Sequence, residues 1–192
     1  MRVIRNVFAL IGLLAVIAAG VAVVQTRVVL DGFDPGAVQV YQELIENIVK
    51  TRNAAEATVW KVPVEEGLTP EDVEQSMKTV ANELNISNVG ELPLYKDVEA
   101  KSGESYRFVK IYMFCNSLTA ARMLDCSDAF SAYLPCRITM VEDKQGQLWL
   151  YALNMDLMIH GGEPLPPALK EEAVHVKKVI LEIMRRGSIG DF

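Results

Sequence analysis

The sequence lacks the short motifs that mark the commonest catalytic sites. It contains no Gly-x-Ser-x-Gly nucleophile elbow, no glycine-rich phosphate loop, no His-Glu-x-x-His pair and no Cys-x-x-Cys redox motif. Histidine is also scarce, with two residues in 192, and neither has an evident partner that would orient it beside a nucleophile. The sequence therefore gives no support for catalysis, and we expect a non-catalytic role.

An excess of basic charge is absent as well. The chain has 19 basic and 25 acidic residues, a formal charge of −6. Three arginines and one aspartate precede Gly32, so the remainder carries 16 basic and 24 acidic residues, or −8. Binding to nucleic acid depends on basic surface that releases counterions from phosphates. Nucleic acid is therefore not an expected partner.

The three cysteines are the only reactive side chains whose spacing is informative. Cys115 ends one predicted strand and Cys136 begins another, so their side chains can approach each other in one sheet. The odd count leaves at least one thiol unpaired, and Cys126 is the natural remainder. Three interpretations stay open: buried packing thiols, a structural or redox disulfide, and a metal or thiol-ligand site. Arg137 could stabilise a thiolate at Cys136, although neighbours along a strand point to opposite faces.

One apolar run near the N-terminus predicts a membrane helix. Residues 7–24 contain no charged or strongly polar side chain and are close to the minimum length for crossing a bilayer. Arg2 and Arg5 precede the run, and Asp31 and Asp34 follow it. This asymmetry favours an N-terminus in the cytoplasm and a globular part outside.

A cleaved signal peptide is the alternative for the same segment. Small residues at positions 18–20 resemble those at cleavage sites, but the apolar run exceeds the usual 7–15 residues and lacks a clean small-x-small exit. A retained anchor, with residues 1–6 in the cytoplasm, is therefore the prediction.

The segment after the span predicts a linker and then an amphipathic helix. Residues 25–36 hold two glycines and a proline, which should interrupt the membrane helix. Asp34 is predicted to cap the next helix, with Pro35 at its first position. Residues 37–58 form this helix, whose apolar stripe consists of Tyr41, Leu44, Ile45 and Ile48. The helix either packs on the domain or meets a partner, or a second copy, near the membrane.

The remainder, residues 59–192, alternates between strand and helix patterns. In order, we predict a strand at 59–64, a helix starting at 69–72, a strand-like stretch at 89–98, a strand at 108–114, a short helix capped by Ser117, a β-hairpin at 137–153 and a final amphipathic helix around 169–183. The fold class is therefore α+β, preceded by one N-terminal transmembrane helix.

Several short matches within residues 60–159 resemble the bacterial and archaeal domain-of-unknown-function family 302. The matching positions are Cys115-Asn116, Ala120-Ala121, Leu134-Pro135-Cys136, Val141-Glu142-Asp143 and Asn154-Met155-Asp156. The family usually has proline after Cys-Asn and asparagine after Pro-Cys, where this chain has Ser117 and Arg137. The resemblance implies a small antiparallel sheet with helices packed on one face, in a TATA-binding-protein-like arrangement that pairs into dimers. It implies no activity.

Two groups of residues are candidates for a site. The ligand or redox candidates are Cys115, Asn116, Cys136 and Arg137, and the metal candidates are Met155, Met158 and His160. Thioether and imidazole, joined by a thiolate, suit copper(I) because all are soft ligands. A methionine-containing stretch before two glycines is more often the end of a packed helix than a metal site.

The sequence therefore supports two functional hypotheses. The first is a non-catalytic binding or accessory domain, anchored in a bacterial inner membrane with its domain in the periplasm, that holds a small ligand or a partner subunit. Its expected partners are the cytoplasmic membrane and a second copy or another subunit of a membrane complex. The alternative is a thiol-redox or soft-metal domain that uses Cys115 and Cys136. The sequence leaves the cofactor open.

Overall fold

The chain begins with a long apolar helix, α1 (Arg2–Leu30). The computed structural model describes residues 2–191, and within it Ile4–Leu30 is long and apolar enough to cross a membrane. An N-terminal signal sequence has the same properties. The helix continues beyond residue 24, so residues 25–30 are helical and the predicted linker is shorter than expected. The reason is that the glycines and proline that interrupt the helix all lie after Leu30.

The predicted helix over residues 37–58 is divided in two. Helix α2 (Ala37–Thr51) ends where Arg52 adopts a left-handed conformation, with φ 54°. Asn53 then caps α3 (Ala54–Ala57) by accepting a hydrogen bond from a backbone amide in its first turn. The N-cap of α2 is Gly36, so the prediction that Asp34 caps this helix is wrong.

Five strands form one antiparallel sheet. Their bounds are β1 (Val59–Pro63), β2 (Ser87–Leu92), β3 (Val109–Cys115), β4 (Cys136–Glu142) and β5 (Leu148–Leu153). The spatial order is β1-β5-β4-β3-β2, with antiparallel pairing throughout. The predicted α+β class, the strand before Cys115 and the hairpin after Cys136 are confirmed.

Two long helices pack together over one face of this sheet. Helix α4 (Pro70–Glu83) begins at a capping box in which Thr69 and Asp72 bond each other's backbone amides. Helix α8 (Pro167–Ser188) crosses it where a Cβ on Gly187 would lie 2.5 Å from Met77, so only glycine allows this approach. The fully buried strand side chains beneath them include Tyr112, Phe114, Ile138, Met140 and Leu150.

The predicted strand character of residues 93–98 is wrong. Pro93 lies directly after β2, and α5 (Leu94–Ser102) begins at the next residue. Leu94 and Val98 have the i, i+4 spacing of one helical face, which the apparent alternation of Leu92 and Leu94 obscured.

The remaining helices gather at the end of the sheet where β3 ends and β4 begins. They are α6 (Ser117–Cys126), a 3-10 helix (Asp128–Tyr133) and α7 (Asp156–His160). Asn116, and not the predicted Ser117, caps α6, because its side-chain oxygen accepts hydrogen bonds from the amides of the first turn. This end of the molecule contains most of the candidate site residues.

Candidate functional site

A small cavity lined by sulfur-bearing side chains lies between the ends of β3 and β4 and helices α6, α7 and α8. Its sulfur-bearing residues are Cys115, Met123, Cys136, Met155 and Met158. We call this space the sulfur cavity. The structure thus brings five of the seven sequence-predicted residues to one place, the two cysteines, the two methionines and Asn116, and adds Met123.

The size of the sulfur cavity limits what it can hold. Its volume is about 30 Å³, similar to the share of volume that one water molecule has in the liquid. Pockets for organic ligands usually measure about 300–1,000 Å³. A second space of equal size shares Cys136, Met155 and Met158 and is also lined by Arg137. The cavity can therefore take a water or a single ion without rearrangement, but not an organic molecule.

Strand register and one ion pair assemble this cavity. Phe114 of β3 is paired with Cys136 of β4, so Cys115, the next residue, is diagonally adjacent to Cys136. On the opposite wall, Lys177 of α8 forms an ion pair with Asp156 at the start of α7. This pair holds the helix that carries Met158 against α8.

Burial controls the chemistry of the two cysteines. All three cysteines of the chain are free thiols, with Cys126 exposed. Burial raises the pKa of Cys136 to about 11, helped by the nearby Cys115, while the charge of Arg137 lowers it only slightly. Burial also raises the pKa of Cys115. Since both thiols stay protonated at neutral pH, they are poor nucleophiles.

The remaining two ligand or redox candidates are Asn116, which caps a helix, and Arg137, which is exposed. The side-chain oxygen of Asn116 lies 3.2 Å from the amide of Leu118 and 3.1 Å from that of Thr119, so helix capping occupies it. Arg137 is exposed, lies across from Met113 in the register of β3 and β4, and lines only the second space beside the sulfur cavity. In the described residues 2–191, no group of three or more His, Cys, Asp and Glu side chains is arranged to hold a metal. A metal here would depend on thioether sulfur.

His160 does not line the sulfur cavity but contacts the segment that follows α1. Its Nδ1 lies 3.1 Å from Oδ1 of Asp34, whose other oxygen forms an ion pair with Lys170 of α8. The amide of Gly36 donates to Asp34 at 2.8 Å, and the amide of Asp34 donates to the Gly162 carbonyl at 2.8 Å. These five residues, Asp34, Gly36, His160, Gly162 and Lys170, form what we call the anchor joint.

The electrostatics of the anchor joint favour a charged Asp34. Burial by itself would raise the pKa of Asp34, but hydrogen bonds from Lys170, Gly36 and His160 outweigh it and hold that pKa at about 2. Tyr41 adds a hydrogen bond of 2.6 Å from its hydroxyl to the Gly161 carbonyl. The segment between α1 and α2 is therefore attached to the domain. Nothing in the local sequence indicates this, because His160 and Lys170, the side-chain partners of Asp34, lie more than 120 residues away along the chain.

A ring of four charged side chains connects α4 with β2 and β3, and we call it the charge ring. Glu74 lies 2.5 Å from Lys78 and 2.6 Å from Lys110, and Glu91 lies 2.6 and 2.7 Å from the same two lysines. The Tyr112 hydroxyl also donates to Glu74, at 2.8 Å. The ring borders an open groove of about 550 Å³. Only the Glu74–Lys78 pair, with its i, i+4 spacing, is visible in the sequence.

Comparison with known families identifies the domain. The family described as "Domain of unknown function DUF302" matches residues 60–186, which is about two thirds of the chain. The chain belongs to the DUF302 family. The solved structure of the "uncharacterized conserved protein DUF302 from Bacillus stearothermophilus" is similar, with a TM-score of 0.55 and 17% identity over 67% of this chain and 97% of that one. At this identity the likeness shows the fold alone. The comparison with curated proteins gives no match.

The range of the DUF302 match distinguishes the three features described above. The sulfur cavity and the charge ring are built entirely from residues inside the matched range of 60–186. The anchor joint connects this DUF302 domain, through His160 and Lys170, to Asp34 outside it. The joint therefore links the family domain to the N-terminal part of this chain.

Proposed function

We propose that this DUF302 protein is a membrane-anchored, extracytosolic and non-catalytic accessory domain that holds a small ligand or a partner subunit close to a bacterial inner membrane. The anchor joint is the observation that carries the proposal. Asp34 lies only four residues after the end of α1, and its side chain is buried against α7 and α8. A domain attached this closely to its anchor keeps a fixed position near the bilayer.

The distribution of charge supports the sidedness of the proposal. Two arginines precede the apolar segment, and the part after residue 31 carries −8. Positive residues are retained on the cytoplasmic side during insertion, so this arrangement favours export of the domain.

The state of the polar groups supports a non-catalytic role. The thiols of Cys115 and Cys136 are held in the protonated form by burial. The carboxylates of Glu74 and Glu91 are each paired with two lysines, so neither is poised to exchange a proton near neutral pH.

Fractionation of cells that express the full chain tests the anchor and its direction. We expect the uncleaved chain, by intact mass, in the membrane fraction after alkaline extraction. In spheroplasts, external protease should digest the domain, while a cytoplasmic control protein remains intact. Recovery of a shortened chain in the soluble periplasmic fraction would show a cleaved signal and refute the proposal.

The sulfur cavity favours a second candidate, a soft-metal site. Five sulfur-bearing residues surround a space of about 30 Å³, which suits one ion. Thiolate and thioether ligands select copper(I) over harder metals, and metal binding can displace the proton of a thiol whose pKa is raised. A thiol-redox role is less well supported, because the thiolate that would attack is scarce at neutral pH.

Copper(I) competition against a coloured chelator tests this second candidate on the full chain in detergent. We expect one copper(I) per chain and at least about tenfold weaker binding in Cys136→Ser and in Met158→Leu. Cys126→Ser is the matched control, since Cys126 is exposed and lies outside the cavity. Equal loss in the control, or unchanged binding in Met158→Leu, would rule out this site.

A further inference from the structure

Helix α2 exposes an apolar stripe that the described chain leaves largely uncovered. The stripe consists of Val38, Tyr41, Ile45, Ile48 and Val49. Ile45 is 59% exposed and Val49 71% exposed, values typical of polar surface residues. Large apolar side chains lined up on one helix at this exposure mark an interaction surface.

The contact between α2 and the domain does not explain this stripe. Ala37 is buried, and Val40 and Leu44 are partly buried, on the flank of the helix that faces the domain. Ile45 and Val49 lie roughly 100–150° around the helix from that flank, at 100° per residue. The helix therefore has two apolar flanks, of which the domain covers one.

We propose that the exposed stripe lies in the interface of the bilayer that α1 enters. This inference rests on the proposed anchor. Only residues 31–36 separate α1 from α2, and Leu30 and Phe33 are exposed apolar residues at this junction. Apolar surface thus continues from the membrane segment into the stripe, while Glu43 and Glu46 are exposed on the polar face of the helix.

The short connection between α1 and α2 favours the bilayer over a second copy as the surface that contacts the stripe. A short connection to the anchor gives the lipid surface a high effective concentration around α2, so weak apolar binding is enough. A second copy must instead be met in the membrane, against repulsion between two chains that each carry −8 after residue 31. Because α2 has two glutamates and one lysine, its binding should depend on apolar contact and not on anionic lipid.

Tryptophan quenching in vesicles of brominated phosphatidylcholine tests this proposal with the full chain. Ile45→Trp places a reporter in the stripe, and Glu46→Trp places a matched control on the polar face of the same helix. Phe8→Trp reports insertion of α1 itself. Native Trp60 and Trp149 are common to all three variants, so quenching is measured relative to the unmodified protein.

We expect brominated lipid to quench Ile45→Trp at least about threefold more than Glu46→Trp, at all protein-to-lipid ratios. Equal quenching of these two, with Phe8→Trp quenched, would overturn the inference but leave the anchor intact. Quenching of Ile45→Trp that disappears at high protein-to-lipid ratio would indicate a second copy on the stripe and also overturn it. Absence of quenching in Phe8→Trp would refute the anchor itself.

Discussion

Replacement of Glu74 by glutamine should destabilise the protein in a way that depends on pH. Burial would raise the pKa of Glu74, but hydrogen bonds from Lys110, Lys78 and Tyr112 outweigh it and lower this pKa from 4.5 to about 2. Without correction, such a shift corresponds to about 3.4 kcal/mol of folding free energy. Since the Glu74 side chain is 23% exposed, solvent screening reduces the expected loss at pH 7 to about 2–3 kcal/mol.

The sign of the pH dependence follows from the lowered pKa. The folded protein binds the proton of Glu74 less tightly than the unfolded chain does, so the stabilisation is complete above pH 4.5 and is lost as the pH falls through about 2. At pH 3 less than half of it should remain. The difference between wild type and Glu74→Gln isolates this effect from other acidic groups, which titrate in both proteins.

Urea unfolding of the full chain in detergent, followed by tryptophan fluorescence at pH 7 and pH 3, measures this difference. Glu71→Gln is the control, because Glu71 is an exposed acid one turn earlier on α4. A loss that is equal at both pH values would refute the electrostatic argument and indicate a packing defect. A similar loss in the control would contradict the assignment to the charge ring.

Three further perturbations have expected outcomes. Asp34→Asn should destabilise the anchor joint by about 2 kcal/mol, because it removes the buried charge that Lys170 and His160 contact and whose pKa is lowered from 3.8 to about 2. Limited proteolysis should then cut residues 31–36 faster than in wild type. At pH 7, iodoacetamide should modify Cys136 at least about 100-fold more slowly than the exposed Cys126. The reason is that a pKa of about 11 reduces the thiolate fraction by that factor relative to an ordinary cysteine. Equal rates of modification, measured by mass spectrometry, would contradict the burial of Cys136. Gly187→Ala should lower the free energy of unfolding by about 1–3 kcal/mol, since the new methyl group would overlap Met77, and unchanged urea unfolding would refute that contact.

Local pattern was enough to predict most elements of the DUF302 domain. The hairpin after Cys136 follows from alternating apolar residues and a turn, and the start of α4 follows from Thr69 and Pro70. The prediction failed where two patterns overlapped. Leu92 and Leu94 alternate as in a strand, but Pro93 ends β2 between them and a helix follows.

The sequence also indicated the sulfur cavity in part. Cys115, Cys136, Met155 and Met158 were candidates because of their spacing and ligand softness, and they line one space. Their roles stay predictions. The spacing did not reveal that burial keeps the thiols protonated, because the pKa of a thiol depends on the groups packed around it and not on its sequence neighbours.

The sequence by itself determined the apolar helix, the α+β class and the succession of strands and helices, because each depends on propensities and periodicities within a few residues. The tertiary structure alone decided which distant groups meet. Asp34 has the sequence character of a helix cap, yet its carboxylate is bound by Lys170 and His160. The apolar stripe of α2 likewise suits packing on the domain, yet α2 contacts α3 and α7 while Ile45 stays exposed. Contacts between residues far apart in the chain depend on the complete packing arrangement, which no local pattern encodes.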